Sequence, residues 1–304
     1  MTGNTLGWVI VAFVLYLLMM IAIGAFYAKG NNNSEDYFLG GRKLNGFVAA
    51  LSAQASDMSG WLLMGLPGAI YLTGVGGDGW IAIGLFIGTT LNWLFIATKL
   101  RRYTIRANNS VTLPTYFENR FHDDKKVLMT VSSITIVVFF LVYCASALSA
   151  GGQLFESVFG IDYHVALTIG ALVVLVYTFL GGFTAVCVTD FIQGMLMLVG
   201  ILAVPLFAYH FLTGNGTTLA AGLEASGADS ANFLNLMKNG DGSNNIISVI
   251  SGLGWGLGYF GMPHILVRFM AVRDEKEMTK SKATAISWVA LSLGFAVFIG
   301  ILGR

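Results

Sequence analysis

Two groups of residues in this sequence have the types and spacing needed to bind an ion or a small ligand. Asp57 is the only charged residue in the run Phe47–Gly74, and Ser56, Ser59 and Gly60 surround it. A carboxylate inside an apolar stretch of this length costs roughly 3 kcal/mol on insertion scales and usually serves an ion, a proton or a substrate. Interrupting a helix here would free backbone carbonyls, which are hard oxygen ligands suited to Na⁺. The alternative is that Asp57 hydrogen-bonds a neighbouring helix and only holds a bundle together.

The second group lies in Gly252–Pro263, which has five glycines and a proline in twelve residues. Such a segment cannot form a robust helix interior. Trp255 and Tyr259 lie four residues apart, which predicts that they share one helix face. Aromatic rings beside exposed backbone form a good lining for a small, partly apolar ligand. The alternative is close helix packing through the pairs Gly252/Gly256 and Gly254/Gly258.

The elements that must position these residues are membrane helices. Hydrophobic residues make up 56% of the chain and charged residues 11%, whereas soluble domains have about 25% charged residues. The chain is therefore predicted to be an all-α polytopic membrane protein, whose uncharged first span is retained and not cleaved as a signal peptide. At about 20 residues a span, the sequence predicts eight spans: Leu6–Ala28, Phe47–Thr73, Trp80–Thr98, Val127–Ala150, Val165–Phe183, Phe191–Leu212, Ile246–Met270 and Ala283–Leu302.

The basic residues predict the orientation of these spans. With eight spans, fifteen of the 17 lysines and arginines fall on one side of the membrane. That side is predicted to be cytoplasmic, with the N-terminus outside. The second and seventh spans then enter from opposite sides, and both are interrupted by Gly or Pro. Interrupted helices in corresponding positions of two inverted repeats are typical of a secondary transporter, in which they hold substrate and ion at the midplane.

Weaker signals lie elsewhere in the chain. Tyr143 places a polar ring in an apolar helix, either as a packed residue or as a ligand. Asp190 either caps its helix or lies in an ion exit path, and Arg42 either sets topology or takes part in coupling. Cys144 and Cys187 are interpreted as reduced core residues. No phosphate loop, nucleophile elbow or zinc motif indicates an enzyme, and the net charge of +1 gives no indication of nucleic acid binding.

The stretch Leu51–Ala69, LSAQASDMSGWLLMGLPGA, resembles the second helix of the sodium/solute symporter family. Further similarity lies in five shorter segments: Tyr37–Arg42, Tyr143–Ser146, Leu154–Ser157, Tyr177–Gly182 and Gly252–Met270. The resemblance implies an all-α, inverted five-helix-repeat transporter fold with broken helices in a single domain, 1–304. In this fold, one extra helix at about 6–28 precedes a first repeat at about 47–212 and the start of a second at about 246–302.

The resemblance also implies a function, which is coupled import of Na⁺ and L-proline by alternating access across a bacterial cytoplasmic (inner) membrane. No cofactor is implied beyond Na⁺ as the coupling ion, and the expected partners are L-proline, Na⁺ and the lipid bilayer. Na⁺ would bind backbone carbonyls of Ala55 and Met58, with Asp57 essential for that binding. The residues implied to border the substrate are Ser59, Gly60, Trp61, Tyr143, Trp255, Tyr259 and Pro263. Arg42 and Asp190 would influence coupling or ion exit.

One departure from the family concerns length. The second repeat is incomplete in these 304 residues, and the family's ninth helix, which supplies hydroxyl ligands to Na⁺, lies beyond them. We therefore expect that this chain alone does not transport. Two alternatives stay open. One is a sensor module of the kind that is joined to a histidine kinase, and the other is a symporter for a different small solute.

Overall fold

The computed structural model describes Gly3–Arg304, with side chains from Gly7 onward. Its α-helices are α1 (Gly3–Ala28), α2 (Ser34–Leu39), α3 (Gly46–Gly60), α4 (Leu66–Thr73), α5 (Val75–Leu91), α6 (Ala97–Arg106), α7 (Leu113–Phe121), α8 (Val127–Phe159), α9 (Tyr163–Gly214), α10 (Leu219–Ala225), α11 (Ser230–Phe233), α12 (Ile246–Trp255), α13 (Pro263–Ala271) and α14 (Glu275–Gly303). Short 3₁₀ segments occupy Gly40–Arg42 and Gly256–Gly261, and π-helical segments occupy Trp61–Gly65 and Asn92–Ile96.

Five helices in the described part of the chain are long and apolar enough to cross a membrane, or six if the bent pair Ile246–Gly261 and Pro263–Ala271 is one span. The difference between six and eight has two physical sources. Helix α9 has 52 residues, about 78 Å at 1.5 Å per residue, whereas the hydrocarbon core measures ~30 Å. Gly182 interrupts it at φ 60° and ψ −157°, at the end of the predicted span Val165–Phe183 and before the predicted span Phe191–Leu212. The span predicted at Phe47–Thr73 is divided into pieces of 15, five and eight residues.

The chain forms two compact units. The first comprises the residues up to Ser52, Leu100–Phe191 and Val267–Arg273. Within it α1 packs on α9 so closely that a Cβ on Gly24 would lie 2.9 Å from the Tyr177 carbonyl oxygen. The segment after α13 pairs with the chain before α3, since the Leu44 amide donates to Ala271 and the Arg273 amide donates to Leu44, at 3.1 and 3.0 Å.

The second unit comprises Ala53–Lys99, Ile192–Leu266 and Asp274–Arg304. Its helices meet through glycine. A Cβ on Gly88 of α5 would lie 2.5 Å from the Cα of Gly256, and one on Gly300 of α14 would lie 2.6 Å from the Pro67 carbonyl oxygen. Because only glycine permits such close backbone approach, these positions fix how α5 and α14 pack. The second unit contains the two interruptions that the sequence predicts, beside Asp57 and before Pro263.

Candidate functional site

The first interruption lies where the sequence predicts it, beside Asp57. Ser59 has φ 44° and ψ −157°, a conformation that is essentially restricted to glycine and costs a serine roughly 1–3 kcal/mol. The π-helical segment Trp61–Gly65 follows. Ala55 and Met58 lie in the turn of α3 before this distortion, and Met58 is only 2% exposed. The carbonyls of a helix's last four residues lack the amide partners that a continuing helix supplies, so Met58, which is one of these residues of α3, is chemically able to offer an oxygen ligand.

The second interruption separates α12 from α13. The 3₁₀ segment Gly256–Gly261 leads into Pro263, and the two helical parts are bent by 47°. Tyr259 lies in this segment and is 3% exposed. Both interrupted spans expected from the sequence are therefore present.

Within the second unit the two interruptions bring Asp57 and Tyr259 together. The Tyr259 hydroxyl donates to Oδ2 of Asp57 at 2.5 Å, and Nε2 of His264 lies 3.8 Å from the other carboxylate oxygen. The Asp57 side chain is only 6% exposed. A carboxylate this buried requires charge-stabilising neighbours, so the cluster is a suitable place for a monovalent cation to bind.

The aromatic residues do not share one face, contrary to the expectation from their spacing. Trp255 is 49% exposed, whereas Tyr259 is buried. The four-residue spacing was interpreted with α-helical periodicity, but the segment after Trp255 is a 3₁₀ helix with three residues per turn. Instead, Trp255 stacks on Trp61 of the other interruption, with ring centroids 5.9 Å apart and an interplanar angle of 22°.

The glycines of this segment fall into two classes. Gly252 and Gly256 pack against α5, where an added Cβ on Gly252 would lie 2.6 Å from the backbone of Trp80. Gly254 and Gly258 face open space. Close packing through small residues therefore applies to the pair Gly252/Gly256 and not to the pair Gly254/Gly258.

In the first unit, Asp190 belongs to a buried polar cluster. Its Oδ2 accepts hydrogen bonds from the Ser52 hydroxyl at 2.7 Å and from Nη2 of Arg268 at 2.9 Å. Nε of Arg268 also donates to Ser52, at 2.8 Å. The interpretation of Asp190 as a helix cap is wrong, because it lies inside α9 and the break is at Gly182.

Arg42 is more than a topological charge. It is 6% exposed and donates to the carbonyls of Met270 and Ser110 at 2.9 and 2.8 Å, as well as to Asn109 and Thr104. Glu35 lies 3.3 Å away. Burial lowers the pKa of Arg42, and Glu35 acts in the opposite direction. Arg42 thus joins α6, α13 and the turn before α3 within the first unit.

The remaining predicted residues are dispersed. Tyr143 is half-buried on α8 of the first unit, with its ring 5.6 Å from Phe140. Gly60 is exposed and Pro263 half-buried in the second unit. Both cysteines are free, but only Cys187 is buried, so the expectation of a core position for Cys144 is wrong.

Sequence reasoning missed four residues of these clusters: His264, Arg268, Ser52 and Asn92. Arg268 falls inside the predicted span Ile246–Met270, and a charge within a span was an available signal. His264 directly follows Pro263 in the interrupted span. The side chain of Asn92 is 1% exposed and donates to the Tyr259 carbonyl at 2.8 Å. A single amide in an apolar helix gave no pattern to detect.

Comparisons with known proteins agree with this architecture. A solved structure described as a substrate-bound outward-open state of a Na⁺-coupled sialic acid symporter superposes with a TM-score of 0.76 at 20% identity, covering 94% of this chain and 59% of that one. At this identity the likeness shows the fold alone. The fold and the paired interruptions are those of the broken-helix transporter fold, as the sequence predicted.

Sequence comparison is more specific. The model of the sodium:solute symporter family matches residues 37–304, and the chain belongs to that family. Its relatives include the sodium/proline symporters of Escherichia coli (strain K12), 44% identical over 97% of this chain and 57% of the relative, and of Haemophilus influenzae, 45% identical over 96% and 57%. This chain therefore spans a little over half the length of these relatives. The family is one of transporters, not enzymes, and its members use Na⁺ as the coupling ion.

Proposed function

We propose that this chain carries the ion- and substrate-handling part of a sodium/proline symporter. The observation that carries the proposal is the hydrogen bond between Tyr259 and the buried carboxylate of Asp57, which joins the two interrupted spans. The sodium/proline symporters named above, 44–45% identical to this chain, support proline as the solute. The protein would lie in the bacterial inner membrane with its N-terminus outside and would exchange ligands with water on either side in turn.

In this proposal Na⁺ binds at the first interruption, to carbonyls of Ala55 and Met58, and Asp57 supplies the negative charge. Because the Asp57 side chain is 6% exposed, a bound cation offsets a charge that the protein alone stabilises incompletely. Na⁺ would also alter the partners of Asp57 and hence the position of Tyr259. By linkage, Na⁺ and proline then raise each other's affinity by the same factor.

Proline would bind next to this ion. The proposed lining within the second unit is Ser59, Gly60, Trp61, Trp255, Tyr259 and Pro263. The stacked rings of Trp61 and Trp255 offer a flat apolar surface that suits a compact ring better than a polyol, which would need more polar groups. In the first unit, Tyr143 remains a proposed substrate residue, and Arg42 and Asp190 remain proposed for coupling and ion exit.

The test is an uptake screen with radiolabelled amino acids, using the complete natural protein that contains this chain, reconstituted in liposomes with and without a Na⁺ gradient. We expect proline uptake that requires inward-directed Na⁺. Uptake of a sugar or carboxylate in place of proline would replace the solute in this proposal. Ligand binding without any uptake would favour the sensor alternative.

A further inference from the structure

The sequence does not allow the carbonyl of Tyr259 to make an α-helical hydrogen bond. In an α-helix each carbonyl accepts from the amide four residues later. For Tyr259 that residue is Pro263, and proline has no amide hydrogen. The chain instead forms the 3₁₀ segment Gly256–Gly261, in which carbonyls accept from the amide three residues later, and Tyr259 within it is 3% exposed.

Asn92 supplies a donor from a different span. Its Nδ2 lies 2.8 Å from the Tyr259 oxygen, and the residue is 1% exposed. Asn92 begins the π-helical segment Asn92–Ile96, and π-bulges are frequent at functional sites. The side-chain amide thus adds a hydrogen bond from another span to the end of the 3₁₀ segment.

The packing of α5 explains why Asn92 lies level with Tyr259. Gly84 packs on Gly252, and Gly88 packs on Gly256, each at backbone contact. The next step of four residues along α5 reaches Asn92. On the other span the next step is only three residues, from Gly256 to Tyr259, because the chain there is a 3₁₀ helix. The shorter step aligns the Tyr259 carbonyl with the Asn92 amide.

We propose that Asn92 is a positioning residue for the ion site: by holding the Tyr259 carbonyl, it fixes the 3₁₀ segment and so keeps the Tyr259 hydroxyl on Asp57. Asn92 itself touches neither ion nor solute in this scheme. The Oδ1 atom of Asn92 is buried without a hydrogen-bond partner among the described residues. The side-chain amide therefore acts through its Nδ2, which donates to the Tyr259 carbonyl. The transport readouts below rest on the proposed symport of Na⁺ and proline.

The variant Asn92→Leu removes the donor at similar size. Thr89→Val is the matched control, because Thr89 lies one turn earlier on α5, is 1% exposed, and has a hydroxyl that is likewise without a partner in the described structure. In Na⁺-driven proline uptake by the complete natural protein, we expect Asn92→Leu to raise the half-saturating Na⁺ concentration about fivefold, the equivalent of one hydrogen bond of ~1 kcal/mol. In Asn92→Leu the KM for proline at saturating Na⁺ should stay within about twofold of the wild type. In Thr89→Val both this KM and the half-saturating Na⁺ concentration should stay within the same range.

A double-mutant cycle separates positioning from general destabilisation. Tyr259→Phe removes the hydroxyl on Asp57, so adding Asn92→Leu to it should raise the Na⁺ requirement no further. The proposal would be overturned if the double variant raised the half-saturating Na⁺ concentration by the product of the two single effects. It would also be overturned if Asn92→Leu raised that concentration no more than Thr89→Val does. If leucine prevents folding, Asn92→Ala replaces it. Failure of both variants to fold while Thr89→Val folds would make Asn92 merely structural and would also overturn the proposal.

A second measurement does not depend on transport. Hydrogen–deuterium exchange of the amides in Gly256–Met262 should become about fivefold faster in Asn92→Leu and stay unchanged in Thr89→Val. If wild-type protein does not transport proline while this difference is present, the proposed function fails and the positioning role stands. If the wild type transports proline and exchange is unchanged by Asn92→Leu, the positioning role fails alone.

Discussion

The cluster of Asp190, Ser52 and Arg268 gives the sharpest stability prediction. The variant Arg268→Leu leaves the Asp190 carboxylate buried without its cation, since the two side chains are 11% and 6% exposed and 2.9 Å apart. Removing one partner of a buried ion pair typically costs about 3–5 kcal/mol. We expect a loss of that size in the free energy of unfolding, measured by SDS titration of the purified protein in mixed micelles.

An exposed pair in the same unit provides the control. Lys126 lies 3.7 Å from Glu118, with side chains 62% and 24% exposed, so Lys126→Leu should cost no more than about 1 kcal/mol. Replacing Arg268 by Leu together with Asp190 by Asn removes both charges and should recover at least half of the loss. A loss of unfolding free energy in Arg268→Leu no larger than that in Lys126→Leu would refute a stabilising ion pair. So would a double variant whose loss equals the sum of the losses in Arg268→Leu and Asp190→Asn.

Two further variants test the packing and the strain of the second unit. Gly88→Ala places a Cβ 2.5 Å from the Cα of Gly256 and should lower the free energy of unfolding by about 1–3 kcal/mol. The control Gly254→Ala adds a Cβ in open space and should leave the free energy of unfolding unchanged or raise it. Equal effects of the two variants would contradict the close approach of α5 to Gly256. Ser59→Gly should raise stability by about 1–3 kcal/mol because it relieves the backbone strain at φ 44°, while raising the KM for proline if the hydroxyl contacts substrate. Ser59→Ala, the control, should raise that KM without the gain in stability, and a gain in both variants would rule out strain relief.

The sequence predicted what depends on local pattern. Asp57 stood out because it is a charge in an apolar run, and the Ser and Gly residues around it predicted the break that Ser59 forms. The glycine-rich segment before Pro263 predicted the second break in the same way. These features depend on neighbours in the chain, so they can be recognised without coordinates.

What the sequence could not show depends on distant partners or on the exact type of helix. Arg268 and Asp190 are 78 residues apart, and nothing in either neighbourhood indicates the pair. The interpretation of Trp255 and Tyr259 as one face failed because pattern alone does not distinguish a 3₁₀ from an α-helical continuation. Asn92 and the Tyr259 carbonyl to which it donates are 167 residues apart, so their contact is seen only in the structure.

In the proposed mechanism Asp57 makes the ion site to which solute binding is coupled. This coupling is tested by proline binding to the complete natural protein, measured across a range of Na⁺ concentrations for the wild type and for Asp57→Cys. We expect Na⁺ to tighten proline binding in the wild type, and to fail to do so in Asp57→Cys at Na⁺ concentrations that saturate the wild type. An Asp57→Cys protein with the Na⁺ dependence of the wild type would contradict the account.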